Sequence, residues 1–270
     1  MRIGKKIVMI GAGKLGHLIA RRVLQMGICN TGELWICRKD ETRLAELTQL
    51  IPGCRPTLNL AEAIRDAELV ILAVKPADLA AVSADLRPLL TQTQTVLSVV
   101  TGKSFSTLAK HLGTRQLVRA STSILAGTGQ ARTVYMIDPR SVSVSPLAVE
   151  VIHSWGESLE TVVENDIKTA IVAIGALPGL VAYSLLGFVS GIEAEGWSRQ
   201  ESLREVLLST QALCQKVLEQ NLDLADIVRS VATKGGITQA GVEAMSGDNL
   251  QEAIARGIRA AIVRTEELDG

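Results

Sequence analysis

Aromatic residues are scarce in this 270-residue chain, at 3% of positions, although 47% of its residues are hydrophobic. The core must therefore be assembled from Ala, Val, Ile and Leu, which suits short strands covered by closely packed helices. Charge of one sign is lacking too: 28 Lys and Arg balance 28 Asp and Glu, for a formal net charge of zero. Such a chain has no nucleic-acid footprint, and no nucleic-acid partner is expected. There are three histidines, and the four cysteines, Cys29, Cys37, Cys54 and Cys214, form no C-x-x-C pair. Little is left from which to build a zinc site, and reduced thiols are expected rather than a disulfide framework. The sequence opens on a strand-like run without signal-peptide design, which points to the cytoplasm. One apolar run, residues 169–188, approaches membrane-span length, but it holds three glycines and Pro178, with Asp166 and Lys168 at its edge. A helix buried between two copies of the chain accounts for it better than a bilayer does.

No repeat and no low-complexity segment interrupts the sequence, but its character changes once. Apolar, β-rich runs at residues 5–10, 33–37, 69–74, 95–99, 116–119 and 133–137 predict strands. Helical patterns lie between them at 14–26, 41–50, 60–65 and 77–90. Strands alternating with helices of this size predict β-α-β crossovers and a mostly parallel, doubly wound α/β sheet. Past Glu164 nothing reads as a strand. Helices are predicted at 167–195, 199–220, 222–231, 239–245 and 249–267. The expected domains are thus 1–162, a dinucleotide-binding Rossmann-type sheet, and 163–270, all helical.

The dinucleotide expectation rests on Gly11-Ala12-Gly13-Lys14-Leu15-Gly16, placed directly after the first strand and opening the first helix. In that setting Gly11 permits the tight turn, Gly13 lets the backbone approach a pyrophosphate, and Gly16 allows helix and strand to pack closely. The first helical N–H groups, from Lys14 and Leu15 onward, then face the phosphates with the positive end of the helix dipole. The bland alternative is a tight turn with no ligand. At the end of the second strand an NAD enzyme would place a carboxylate for the ribose 2′-hydroxyl. This chain reads Cys37-Arg38-Lys39 there, with Asp40 following. Two cations suit a 2′-phosphate, Arg38 by its planar fork and Lys39 as a point charge, so NADP is expected rather than NAD. A solvated basic turn neutralised by Asp40 and Glu41 is the competing reading.

Together with Ala73-Val74-Lys75-Pro76 and Gly235-Gly236-Ile237-Thr238, the glycine motif resembles the pyrroline-5-carboxylate reductase family in order and spacing, over essentially the whole chain. Ser98-Val99-Val100-Thr101-Gly102 stands where that family has a Ser-Ile-Ala-Ala-Gly-like strand end. Gly175-Ala176-Leu177-Pro178 stands where it has a Gly-Ser-Gly-Pro kink in the long first helix of the dimerisation domain. The resemblance implies NADPH-dependent reduction of a cyclic imine carboxylate, 1-pyrroline-5-carboxylate to L-proline, as in proline and amino-acid biosynthesis. It implies a homodimer through the C-terminal helices, with a higher oligomer of dimers as its extension, and an active site between one subunit's cofactor and helices of the dimer. It also implies that Ala73, Val74, Lys75 and Pro76 shape the nicotinamide pocket, mainly through backbone.

The substrate motif of the family, Ser-Pro-Gly-Gly-Thr-Thr, is represented by Thr233-Lys234-Gly235-Gly236-Ile237-Thr238. The Lys-Gly-Gly-Ile-Thr form is similar to a divergent branch that includes a competence-associated protein. Hydride addition to an imine needs a donor at its nitrogen and a hold on the carboxylate. The resemblance assigns the donor to Thr238 and substrate binding to the turn of Thr233, Gly235, Gly236 and Ile237, while Lys234, foreign to the main family pattern, is expected to add a charge contact to the carboxylate. The glycines would present N–H groups ahead of a helix. The bland reading is an interhelical turn with Thr238 as N-cap and Lys234 in solvent. The family's Arg-x-Met-Pro-Asn-Thr-Pro is represented by Arg119-Ala120-Ser121-Thr122-Ser123-Ile124-Leu125, with Ser123 at the asparagine. Lys168 invites comparison with β-hydroxyacid dehydrogenases, but Val172 stands where their asparagine would be one turn later. Two alternatives stay beside the leading one: a reductase of another small imine or carbonyl compound, and a non-catalytic NADP-binding regulator.

Overall fold

The computed structural model describes residues 5–269, so the outermost residues of the two expected domains lie outside it. Eight strands form one sheet in the order β3-β2-β1-β4-β5-β6-β7-β8. These are β1 (Ile7–Ile10), β2 (Leu34–Cys37), β3 (Arg55–Thr57), β4 (Leu69–Leu72), β5 (Thr95–Ser98), β6 (Leu117–Ser121), β7 (Ala131–Ile137) and β8 (Gly156–Glu160). Helices α1 (Lys14–Gln25), α2 (Glu41–Leu50), α3 (Leu60–Ile64), α4 (Leu79–Leu86), α5 (Phe105–Leu112) and α6 (Pro146–His153) connect them. Every neighbouring pair is parallel except β6 and β7. Only a 3-10 turn at Ile124–Thr128 separates those two strands, too little chain for a crossover, so β7 runs back along β6.

Strands β1, β2, β4 and β5 are buried at every residue. Helices cover both faces, which is why these strands read as continuous apolar runs. Side chains alternate between two cores: Ile7, Met9, Leu69 and Ile71 enter one, and Val8, Ile10, Val70 and Leu72 the other. Four elements escape the sequence reading. Strands β3 and β8 carry half-buried and exposed side chains and little apolar pattern. Helices α5 and α6 are eight residues each, with caps at Ser104 and Ser145 that were legible signals. The single helix expected at 77–90 is α4 between 3-10 turns at Pro76–Asp78 and Arg87–Leu89. Pro88 lacks an N–H and its ring crowds the preceding turn, so the α-helix stops short of it.

The helix expected at 167–195 starts earlier and is broken. Residues Glu164–Ala170 form α7, Ile171–Ala176 a π-helical segment, and Leu177–Ala194 α8. Pro178 cannot donate to the carbonyl four residues back, and the chain widens into a π turn just ahead of it. Helices α9 (Arg199–Gln220), α10 (Leu224–Val231), α11 (Ile237–Gly247) and α12 (Leu250–Glu267) complete the chain. Compactness divides it elsewhere than the expected 162/163. One unit runs to Ala176 and takes in the end of the chain from Ala261, while Leu177–Ala260 forms the other. Helix α7 and the π turn stay with the sheet because Ile167, Ala170 and Val172 are buried.

Among the described residues one helical stretch, Glu164–Ala194, has the length and hydropathy of a membrane span, yet only 6% of its most apolar window is buried within the chain. Leu177, Val181, Tyr183, Leu186 and Phe188 are all exposed along it. In the sheet unit, by contrast, Trp155 is wholly buried and its indole N–H meets no acceptor among the described residues. Trp155→Ala should therefore lower stability by about 3–5 kcal/mol, whereas Trp155→Phe, which also removes the orphaned donor, should cost less than about 1.5 kcal/mol. Denaturant titration of the two variants would separate these outcomes.

Candidate functional site

Strand β1 ends at Ile10 and α1 begins at Lys14, so the first glycines form a turn at the carboxyl end of the sheet. Since β1 lies between β2 and β4, this is the switch point of the strand order, where crevices open in doubly wound sheets. Gly11 has φ +85°, and a Cβ there would lie 2.7 Å from the Ala73 carbonyl oxygen and 2.9 Å from Val74 Cγ1. At Gly16 a Cβ would meet the Gly11 carbonyl oxygen at 2.3 Å, while at Gly13 it would meet nothing within 4 Å. The first two positions hold the turn against β4, and the third leaves room for a ligand. Gly13 is the N-cap of α1 and offers no side-chain acceptor, so the N–H groups that start the helix keep their capacity for an anion. Lys14 is exposed there and Leu15 is half-buried.

A cavity lies on each side of this turn. One, of about 670 Å³, is lined by Gly11, Cys37, Arg38, Lys39, Val74 and Asp85 among others. Arg38 Nη1 donates to the Ala12 carbonyl oxygen at 2.8 Å, which lays its guanidinium along the glycine turn. Lys39 Nζ pairs with Asp85 Oδ2 at 2.8 Å. Burial pushes the Cys37 thiol up to about 12, against the pull of the Lys6 ammonium, so this cysteine is a neutral contact. Of the segment after β4, Ala73 N donates to Ile10 O at 2.9 Å and Val74 lines the cavity. Lys75 is exposed at the N-cap of the 3-10 turn that Pro76 opens.

The other cavity, of about 370 Å³, is lined by Leu15, Ser98, Arg119, Ser121, Val172 and Leu268 among others. Arg119 is buried and forms an ion pair with Glu164, whose carboxylate also accepts from Phe105 N at 2.7 Å. Burial lowers the Arg119 pKa while Glu164 and Asp269 oppose the shift. Ser121 projects from the same face of β6, lines this cavity and is 5% exposed. The sequence reading did not single out Ser121. The available signal was a hydroxyl two positions beyond Arg119 on the same strand, hence on the same face. Ser123, expected to stand in for an asparagine, instead accepts from Leu125 N at 3.3 Å and caps its own turn. Lys168, set aside as a catalytic lysine, pairs with Glu266 at 2.7 Å.

Thr233, Lys234, Gly235, Gly236, Ile237 and Thr238 lie in the helical unit, where Gly236 is the N-cap of α11. Gly235 takes φ +75°, and its N–H donates to Gln239 Oε1 at 2.7 Å. Gly236 N–H donates to the Thr233 carbonyl oxygen at 2.8 Å. The expectation that the two glycine amides face a ligand therefore needs correcting: both are used inside the turn. The amides left at the start of α11 are those of Ile237 and Thr238. Thr238 sits within the first helical turn rather than at the cap. Lys234, Ile237 and Thr238 are exposed, Ile237 at 93%.

Two alanine substitutions in the first turn should separate fold from ligand. Gly16→Ala forces a backbone clash and should lower the melting temperature markedly. Gly13→Ala enters open space and should leave the melting temperature within about 2 °C while abolishing dinucleotide binding. Thermal melts paired with cofactor titration check both.

Residues 164–268 match the family model for pyrroline-5-carboxylate reductase dimerisation, and residues 6–102 match that for coenzyme F420-dependent NADP oxidoreductases. The chain is 23% identical to a pyrroline-5-carboxylate reductase of Staphylococcus saprophyticus over 97% of each sequence. It is 24% identical to pyrroline-5-carboxylate reductase 2 of Bacillus subtilis, over 98% of this chain and 95% of that one. Among solved structures it is similar in fold to a Plasmodium falciparum pyrroline carboxylate reductase with NADP bound, at TM-score 0.88 and 18% identity over 98% of each chain. A Streptococcus pyogenes 1-pyrroline-5-carboxylate reductase superposes at TM-score 0.85 and 22% identity, over 97% of this chain and 98% of that one. The helical segment 164–268 thus matches the dimerisation model of pyrroline-5-carboxylate reductases along nearly its whole length, and the whole chain is similar to reductases of that name in sequence and in fold.

Proposed function

We propose that this protein is an NADPH-dependent oxidoreductase acting on the C–N double bond of a cyclic imine carboxylate, with 1-pyrroline-5-carboxylate reduced to L-proline as its reaction. The observation that carries this reading is the glycine turn set between two cavities, with Gly11 lining one and Leu15 the other. A dinucleotide laid across the open space at Gly13 would have its pyrophosphate at the start of α1 and one nucleoside in each cavity. Arg38 and Lys39 mark the larger cavity as the adenosine side, and their charges suit the 2′-phosphate of NADP. Residues 1–162 would serve the cofactor and 163–270 the substrate and the dimer.

When bound, the dihydronicotinamide supplies a hydride to the imine carbon. The remaining work falls to side chains of this chain. Leu15 and Val172 line the smaller cavity with apolar surface that excludes water. Thr238 donates its hydroxyl hydrogen to the imine nitrogen, which makes the carbon electrophilic and orients the ring. The Ile237 and Thr238 amides with the Lys234 ammonium hold the carboxylate, while Thr233, Gly235 and Gly236 shape the turn that presents them. The nitrogen takes a proton from solvent, with the Thr238 hydroxyl hydrogen-bonded to it, as the carbon gains the hydride, so the product is a secondary amine. A second reading, reduction of another small imine or carbonyl compound, is favoured by Ser123, which puts a short hydroxyl, already accepting from Leu125 N, where the family pattern has an amide side chain.

Assembly follows from the uncovered apolar surface. The exposed side chains along α8 form too large an apolar area for a monomer in water, and a two-fold dimer covers such a face with its own copy. With that face covered, no bilayer is needed, in keeping with a cytoplasmic protein. Sedimentation at low micromolar concentration should give the dimer mass or that of an assembly of dimers; a monomer would overturn the proposal.

Neutralising Arg38 and Lys39 together should weaken NADPH binding by about tenfold or more and leave NADH binding nearly unchanged, since only NADPH loses a phosphate contact. Equal affinity of the unmodified protein for both cofactors would reject the NADP assignment. Purified protein should oxidise NADPH when given 1-pyrroline-5-carboxylate. Thr238→Val should lower kcat with little effect on cofactor affinity, and Lys234→Ala should chiefly raise KM. Turnover of six-membered cyclic imine acids alone would transfer the assignment to the second reading. No turnover on any imine acid, from protein that binds NADPH, would sink the imine pocket.

A further inference from the structure

Residues 265–268 lie against the smaller cavity, in an arrangement that neither glycine motif explains. Gly102, in the turn after β5, has φ +75°, and a Cβ there would lie 2.7 Å from Leu268 Cβ and 3.0 Å from the Thr265 carbonyl oxygen. Only glycine lets the last turn of α12 come this close. Two polar contacts hold it in place. Asp269 Oδ1 accepts from Ser104 N at 2.7 Å, at the start of α5. Lys168 Nζ on α7 pairs with Glu266 Oε1, also at 2.7 Å. Burial alone would raise the Asp269 carboxyl, but the Ser104 amide, the Thr107 and Ser104 hydroxyls and the Arg119 charge hold it below its ordinary value, so the anchor stays ionised. Next to the first anchor Thr265 is 5% exposed, and both Thr265 and Leu268 line the cavity with Ser98 and Ser121.

We infer that residues 265–269 are the wall against which the nicotinamide end of the cofactor is positioned. Leu268 is the specificity-determining contact, and Asp269 is the positioning residue that pins the turn to Ser104. This rests on the cofactor reading above, in which the smaller cavity takes the nicotinamide. Its physical basis is that a turn leaving a helix keeps a fixed place when polar contacts anchor it, as the Glu266–Lys168 pair and the Asp269–Ser104 hydrogen bond do here. An apolar side chain so fixed excludes water from one side of the ring and limits the room left for a substrate.

The test is a titration of full-length protein with two probes, NADPH and adenosine 2′,5′-bisphosphate, the second carrying only the adenosine half. Leu268→Ala and Asp269→Ala should each weaken NADPH by about fivefold or more and leave the bisphosphate within about twofold. Asp269→Asn, whose amide oxygen still accepts from Ser104 N, should fall between Asp269→Ala and the unmodified protein. Should Asp269→Ala fail to fold, Leu268→Ala leaves both anchors intact and carries the test by itself. Equal loss of both probes would mean general loosening and overturn the inference, as would unchanged NADPH affinity in Leu268→Ala. Failure of the unmodified protein to bind the bisphosphate would instead overturn the cofactor reading, and this inference with it.

Discussion

Where α1 leaves the sheet, Gly16 passes the carbonyl oxygen of Gly11 at a distance that no side chain could share, and Gly11 in turn leans on Ala73 and Val74 at the end of β4. This close approach brings the start of α1, the end of β4 and the open space at Gly13 to one point at the carboxyl edge of the sheet. Both cavities take their position from it. A methyl group at either contact would push the helix away from the sheet and widen the turn that separates them. The buried parallel strands on each side make the approach durable, since β1 and β4 are held in register over four residue pairs.

The two cavities differ in how they handle charge. In the larger one Arg38 is half-buried and bound to a backbone carbonyl, and Lys39 is exposed and paired with the exposed Asp85. Such contacts are weakly held in water and readily exchanged for a phosphate. In the smaller one Arg119 is buried and already matched by Glu164, so its charge is balanced before any ligand arrives. What remains there is mainly hydroxyl and aliphatic surface, with the exposed Arg264 at its edge paired to Glu267. A cavity of that kind suits a neutral ring better than a free anion.

The helical part is shaped by a different constraint. Pro178 removes a donor from the long helix that begins at Glu164, and the π turn at Ile171–Ala176 absorbs the disruption. The break coincides with the division of the chain into its two compact units. Ahead of it Ile167, Ala170 and Val172 are buried against the sheet unit. Beyond it the side chains are apolar but uncovered, as they would be in a surface made for a second copy.

Much of the sheet could be read directly from the residues, because strands buried on both faces and helices with one apolar stripe announce themselves by composition and period. The strands β1, β2, β4 and β5, the helix α9 with its bounds, and the glycine turn between β1 and α1 all follow from local pattern. Polar edge strands such as β3 and β8 do not, since their partners rather than their own side chains hold them in place. Of the proposed cofactor site, residue type alone pointed to Gly11, Gly13, Gly16, Arg38 and Lys39, because each has a backbone or charge property that acts at short range. Tertiary structure decided the rest. That the Gly235 and Gly236 amides are spent within their own turn, that Ser121 faces a cavity, and that Leu268 closes against Gly102 across more than half the chain are matters of contact between distant segments. Packing brings such segments together, and no local periodicity encodes it.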